Sequence, residues 1–195
     1  MSESSYQEIT DDQKAIIEMV HQFVDEQIIP NAEHFDAKDE FPEDIVEQMK
    51  ELGLFGAMIP EEYGGMGLDL STYELIVEEL SRGWISISGV VNTHFIGAYL
   101  LDKFGNDEQK QKYLPKMATG EMRAAFSLSE PEVGSDVQGI KTGAKKGDDG
   151  KYEINGQKMW VTNGLGPSLG FLLAKTAHDG QPAANAEVAL AAVDQ

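Results

Sequence analysis

Thr119-Gly120-Glu121-Met122-Arg123-Ala124-Ala125-Phe126-Ser127-Leu128-Ser129 marks the point at which the sequence changes its grammar. Upstream, apolar residues recur three to four apart, at Ile16, Val20, Phe23, Val24 and Ile28 and again at Ile45, Val46, Met49 and Leu52, the spacing of one helix face. Downstream, residues 126–129 alternate apolar and polar, and Tyr152 and Ile154 fall on one side of a strand whose other side carries Lys151 and Glu153. The fold class is therefore α+β. An N-terminal all-α helical domain over residues 1–122 precedes an antiparallel, β-barrel-like domain over residues 123–195 that is expected to be incomplete at its C-terminus.

On the helical side the punctuation agrees with the periodicity. Thr10 stands three before Gln13, Ser71 three before Glu74 and Asn106 three before Gln109, each a side-chain acceptor for the orphan N–H groups of a first turn. Stops are expected at Gly53, Gly83 and Gly120, Pro30 should end the first helix near Ile29, and Pro42 suits the first turn of the next. Between them, Tyr63-Gly64-Gly65-Met66-Gly67 places three glycines in four residues, which reads as a tight interhelical turn rather than a phosphate cradle. Residues 85–104 are nearly uncharged until Asp102 and predict a helix buried on most sides at the centre of the domain.

On the β side, Asn155-Gly156 is a hairpin-turn signal. Strands are expected at residues 158–162, 170–175 and 188–193, with a connecting loop at 178–182.

Composition narrows the function. The 195 residues carry 34 acidic against 15 basic side chains, a formal charge of -19, and no Lys/Arg cluster able to neutralise a run of phosphates. Nucleic acid is thereby excluded as a partner, and an anionic ligand must be held by local donors against the global field. With no cysteine there is no disulfide framework, thiolate nucleophile or Cys-ligated metal. Residues 1–12 resemble neither a secretory signal nor a transit peptide, and no apolar run approaches the ~20 residues that span a bilayer, so the sequence reads as a cytoplasmic protein or a mature form already processed. Familiar phosphate, nucleophile-elbow and metal motifs are absent, the four histidines are scattered, and His94 reads as a satisfied core histidine.

The informative stretches are Phe126-Ser127-Leu128-Ser129-Glu130-Pro131-Glu132-Val133-Gly134-Ser135-Asp136 and Asn155-Gly156-Gln157-Lys158-Met159-Trp160-Val161-Thr162-Asn163-Gly164. Both resemble signature segments of the acyl-CoA dehydrogenase family. Pro60-Glu61-Glu62-Tyr63-Gly64-Gly65 and Gly105-Asn106-Asp107-Glu108-Gln109-Lys110 resemble its helical landmarks in the same order.

The resemblance implies an FAD-dependent oxidoreductase that converts acyl-CoA thioesters to 2,3-enoyl-CoA and passes electrons to electron-transfer flavoprotein. It implies a homotetramer when full length. Phe126, Leu128, Ser129, Gly134, Ser135, Trp160, Val161 and Thr162 become the cofactor-binding candidates: donors at Leu128 and Ser129 for the polar edge of the flavin, Trp160 for its flat face, and Thr162 beside it on the same strand face. Ser135 is also the first acyl-CoA candidate, joined by Ser88, Gly89 and Asn92 on the buried helix. No catalytic or metal-binding residue is assigned, because the family places its proton-abstracting carboxylate in a C-terminal helical domain beyond these residues. Two other readings stand beside this one: a non-catalytic flavin or acyl-CoA module completed by a partner chain, and an acyl-CoA oxidase that hands electrons to oxygen.

Overall fold

The computed structural model describes residues 10–166, 168–176 and 186–191. Helix α1 (Asp11–Phe23) begins at Thr10, whose hydroxyl accepts from the Gln13 N–H while the Gln13 side chain accepts from the Thr10 N–H. Pro30 does not end it. A π turn over Val24–Ile28 carries the chain into α2 (Ile29–Lys38), with the Ile29 N–H reaching back to the Val24 carbonyl. The wider turn lets Pro30, which has no N–H to donate, occupy the first turn of a renewed α-helix, so the expected break becomes a local change of pitch.

After α3 (Glu43–Glu51) comes the compact turn over residues 53–67. The Met66 N–H donates to the Gly56 carbonyl at 2.9 Å and the Gly67 N–H to the Ile59 carbonyl at 2.9 Å, an interhelical turn as expected. Helix α4 (Leu70–Gly83) is capped by Asp69 rather than by Ser71: its carboxylate accepts from the Thr72 N–H at 2.7 Å and the Thr72 hydroxyl at 2.8 Å. Helix α5 (Ile85–Phe104) packs between α4 and the sheet, and α6 (Asp107–Ala118) opens with the expected Asn106–Gln109 box. The centre of the domain is α5, but it is not buried on most sides. Ile87, Val91, His94, Phe95 and Leu101 face inward, while Ile85, Asn92, Ile96 and Tyr99 share an open face.

Strands β1 (Arg123–Ser127), β2 (Gly143–Lys146), β3 (Tyr152–Asn155), β4 (Ser168–Thr176) and β5 (Ala186–Ala191) form one open sheet. The helical domain followed by a sheet stands as expected, but the sheet is mixed rather than antiparallel and does not close. Strand β4 pairs parallel with β1 and with β2 and antiparallel with β5, while β2 and β3 form an antiparallel hairpin. The long excursion from β1 to β4, with the β2–β3 hairpin inside it, supplies the crossover that a parallel pair needs.

Two further expectations fail there. Residues 158–162 are not a strand: Trp160 at φ 59° and Asn163 at φ 61° are left-handed, which breaks the alternation. Asn155-Gly156 makes no hairpin either, since β2 and β3 are joined through residues 147–151, with the Gly147 N–H on the Lys151 carbonyl at 2.7 Å. Gly156 serves close approach instead, for a Cβ there would lie 2.7 Å from the Thr142 Cα. The expected loop at 178–182 and the end of the expected strand at 188–193 lie outside the described residues.

Helices and sheet share apolar interior. Leu101, Leu114 and Met117 pack with Ala124, Leu169 and Phe171, the last fully buried and contributing about 1.5–3 kcal/mol. Gly97 makes the contact possible, because a Cβ on it would stand 2.6 Å from the Phe171 ring. This contact sets the distance between α5 and the strands that lead to the site. Among the described residues no helix is long and apolar enough to cross a membrane.

Candidate functional site

Where β1 ends at Ser127, the chain leaves the sheet and turns sharply, Glu130 and Val133 exchanging backbone hydrogen bonds at 2.8 and 3.1 Å. That turn leaves Gly134 and Ser135 exposed and directs the Glu130 side chain inward. Its carboxylate accepts from the Lys141 N–H at 2.6 Å, the Thr142 N–H at 2.9 Å and the Lys158 ammonium at 3.0 Å. Lys158 also donates to the Leu128 carbonyl at 2.9 Å. Burial alone would raise the Glu130 pKa, but the hydrogen bonds from Thr142, Lys141 and Lys158 outweigh it and hold the acid at about 2. With its side chain 5% exposed and that of Lys158 9%, this is a buried ion pair that clamps the two signature stretches together.

The clamp has two companions. The Met159 N–H donates to the Ser129 carbonyl at 2.9 Å, so residues 128–130 and 157–159 run side by side. At the other end of the loop, the Asn163 amide donates to the Val90 carbonyl at 3.0 Å and the Ala124 carbonyl at 3.1 Å, fastening the loop to both α5 and β1. Asn tolerates the left-handed backbone there, and its short amide reaches two buried carbonyls at once. Between these anchors Trp160 stands 82% exposed, its indole raised from the surface by the left-handed turn.

Beneath the site His94 joins three elements. Its Nε2 meets the Phe55 carbonyl at 3.1 Å and its Nδ1 accepts from the Ala124 N–H at 3.2 Å, so the network assigns the proton to Nε2. Burial, helped by the nearby Arg123 charge and opposed by the bond to Phe55, lowers its pKa to about 4 and keeps the ring neutral. It is the satisfied core histidine that the sequence suggested.

The structure thus brings Leu128 and Ser129 against the loop that carries Trp160, Val161 and Thr162, with Phe126 half-buried on the strand leading in. Trp160 and Thr162 are not on one strand face; they lie on a folded loop. Of the α5 candidates, Gly89 and Asn92 border the open face, whereas Ser88 is buried and its hydroxyl donates to the Ile85 carbonyl at 2.8 Å, placing it in helix packing. Sequence reasoning passed over Lys158, Glu130 and Asn163 as positioning residues. Of these only Asn163 carried a signal, an Asn-Gly pair directly after an expected strand. A cavity of about 420 Å³ lies on the far side of the loop, walled by Phe35, Phe41, Trp84, Val90 and Leu165, and none of Ser129, Ser135, Trp160 or Thr162 lines it.

Residues 10–121 match the N-terminal domain of acyl-CoA dehydrogenase and residues 125–195 its middle domain. The chain belongs to the acyl-CoA dehydrogenase family. An acyl-CoA dehydrogenase of Bacillus subtilis (strain 168) is 38% identical to it over 172 residues, 88% of this chain and 45% of that protein. An acyl-CoA dehydrogenase from Bacillus anthracis, solved in complex with FAD, superposes with a TM-score of 0.80 at 37% identity, covering 89% of this chain and 31% of that one. Butyryl-CoA dehydrogenase from Megasphaera elsdenii superposes with a TM-score of 0.80 at 31% identity, covering 88% of this chain and 46% of that one. The chain spans less than half the length of these relatives.

Proposed function

We propose that this chain is the flavin- and acyl-CoA-binding part of an FAD-dependent acyl-CoA dehydrogenase, an enzyme that forms 2,3-enoyl-CoA from acyl-CoA thioesters. One observation carries the reading. The loop of residues 156–165 is pinned by Lys158, Met159 and Asn163, yet it holds Trp160 out from the surface, and the hydroxyls of Ser129, Ser135 and Thr162 bond to no described residue. A flat indole and open hydroxyls on a rigid support fit the face and the polar edge of an isoalloxazine ring. FAD bound there supplies the hydride acceptor.

The chain's own residues bind and orient. Ser129 and Thr162 hold the ring, Trp160 shields a face from water, and Ser135, on its exposed turn, meets the acyl-CoA. Phe126, Leu128, Gly134 and Val161 complete the support, and Gly89 and Asn92 border the acyl chain. None of these residues moves the α-proton. Glu130, the buried carboxylate nearest the site in sequence, is held ionised in an ion pair with a pKa of about 2, too weak a base for that step. Electron-transfer flavoprotein as acceptor, a homotetrameric assembly and a cytoplasmic location complete the proposal.

The test is FAD uptake by the full-length protein. A yellow protein is expected, with FAD affinity falling roughly 3- to 10-fold in Trp160→Ala, the range that one aromatic contact supplies. A protein that takes up no added FAD refutes the proposal.

A further inference from the structure

Resting on the reading of this site as a flavin site, we propose that Lys158 is a positioning residue for electron uptake. Through the peptide that joins Leu128 to Ser129 it aims one N–H at the polar edge of the ring, and its charge sets how readily the ring is reduced. That peptide carries the Leu128 carbonyl on one side and the Ser129 N–H on the other, and it is trans, so the two point in opposite directions. The Lys158 ammonium donates to the carbonyl at 2.9 Å, which turns the Ser129 N–H away from the charge. This N–H donates to no described residue. The next peptide has nothing left to offer: the Ser129 carbonyl accepts from the Met159 N–H at 2.9 Å, and the Glu130 N–H donates to the Val133 carbonyl at 2.8 Å. One open donor remains, its direction fixed from behind by a buried cation.

The charge acts as well as aims. A hydride brings an isoalloxazine ring two electrons and one proton and leaves one negative charge, which the pyrimidine edge carries. The formal charge of -19 on the chain opposes that gain. Lys158 favours it locally: counting one hydrogen bond to the peptide and one beyond it, the ammonium stands about 8 Å from an acceptor on the Ser129 N–H. Burial of the Lys158 side chain keeps salt from screening it, and the polarised peptide makes its N–H the stronger donor. Glu130, with its pKa at about 2, stays ionised beside the ammonium, 3.0 Å from Nζ, and tempers the effect. The two charges therefore pull the flavin's potential in opposite directions, with the cation bound to the peptide itself.

The experiment measures the two-electron potential of the full-length, FAD-loaded protein at pH 7, by equilibrium reduction against a dye of known potential. In Lys158→Met, binding of reduced relative to oxidised FAD should weaken about tenfold, a shift of about 30 mV to more negative potential. Glu130→Gln, which leaves the cation without its counter-charge, should shift the potential the other way by a similar amount. The double variant should return close to the parent. A merely structural clamp behaves differently: its loss lowers Tm and FAD affinity, and any potential change from a loosened site has the same sign in both single variants. Shifts of the same sign, or none, overturn the inference. Should Lys158→Met fail to fold, Glu130→Gln decides alone, since a positive shift supports the assignment and a zero or negative one overturns it. A parent protein that takes up no FAD overturns the flavin reading beneath, whereas FAD uptake with an unmoved potential in the variants overturns the role of Lys158 only.

Discussion

Glu130→Ala removes the acceptor for two backbone N–H groups and leaves the Lys158 ammonium, 9% exposed, with only the Leu128 carbonyl. Breaking a buried pair in this way costs about 3–5 kcal/mol, a large part of the roughly 5–15 kcal/mol that holds a domain together. At roughly 2–4 °C per kcal/mol for a chain of this size, Tm should fall by roughly 6–20 °C in a thermal melt followed by circular dichroism. Lys158→Met alone should also be costly, because it strands the carboxylate. The double variant should be milder than the sum by about 0.5–3 kcal/mol, since neither charge is then left alone. The pH dependence adds a second check. The folded pKa of Glu130 lies at about 2, below its ordinary 4.5, so its stabilisation is fully present above pH 4.5 and is lost as pH falls toward 2. The stability gap between the parent chain and Glu130→Gln should narrow across that window. Additive single variants, each costing under about 1 kcal/mol with a gap independent of pH, would refute the clamp.

His94 is held neutral with a pKa of about 4 against an ordinary 6.5, so the unfolded chain binds the extra proton first; stability should decline as pH drops from 6.5 toward 4 and decline less in His94→Gln, as read by urea unfolding at pH 7 and pH 5. Gly97→Ala should cost about 1–3 kcal/mol by driving a methyl into the Phe171 ring and the Ala124 side chain, measured the same way; a neutral effect would mean that the helix–sheet contact is looser than described. Ser135→Ala in the full-length protein should weaken acyl-CoA binding by about 1 kcal/mol with Tm unchanged, and unchanged affinity would leave Ser135 a turn residue. The 195-residue polypeptide, loaded with FAD and mixed anaerobically with acyl-CoA, should leave the flavin unbleached, and bleaching at an enzymatic rate would place a base among these residues.

Local rules made the helices legible and failed where distant partners decide. Thr10 and Asn106 cap as their spacing says, and α5 runs over Ile85–Phe104 because an uncharged stretch with no internal breaker has few alternatives. Pro30 misled because a π turn, invisible to a 3.6-residue count, absorbs the missing donor. Asp69 displaced Ser71 because a carboxylate taking two Thr72 donors is the stronger cap. In the β half, the run of β-forming residues at 158–162 mimicked a strand, yet Lys158 and Met159 answer to Glu130 and Ser129, and Asn163, just beyond the run, answers to Val90, 73 positions away. Parallel pairing of β4 with β1 depends on the whole excursion between them and leaves no mark in either strand. The site stretches were recognisable as residues, whereas their shape as a pinned loop was not.

That difference follows from what holds each part. The frame rests on apolar contact, which tolerates exchange of similar side chains and shows in the sequence as periodicity. The site rests on a few polar contacts with fixed geometry: Glu130 to Lys158, Met159 to Ser129, Asn163 to two carbonyls, and His94 to Phe55 and Ala124. Apolar residues in those places could supply comparable stability, since burying an ion pair gives little net gain over a well-packed hydrophobic pair. They could not set register. A carbonyl that accepts from one amide at 3.0 Å fixes the neighbouring backbone far more narrowly than a methyl contact does, and the Trp160 loop is fixed in this way at both ends. The geometry offered to a flavin therefore depends on residues that touch no ligand. Their loss should register in cofactor and substrate affinity as well as in Tm.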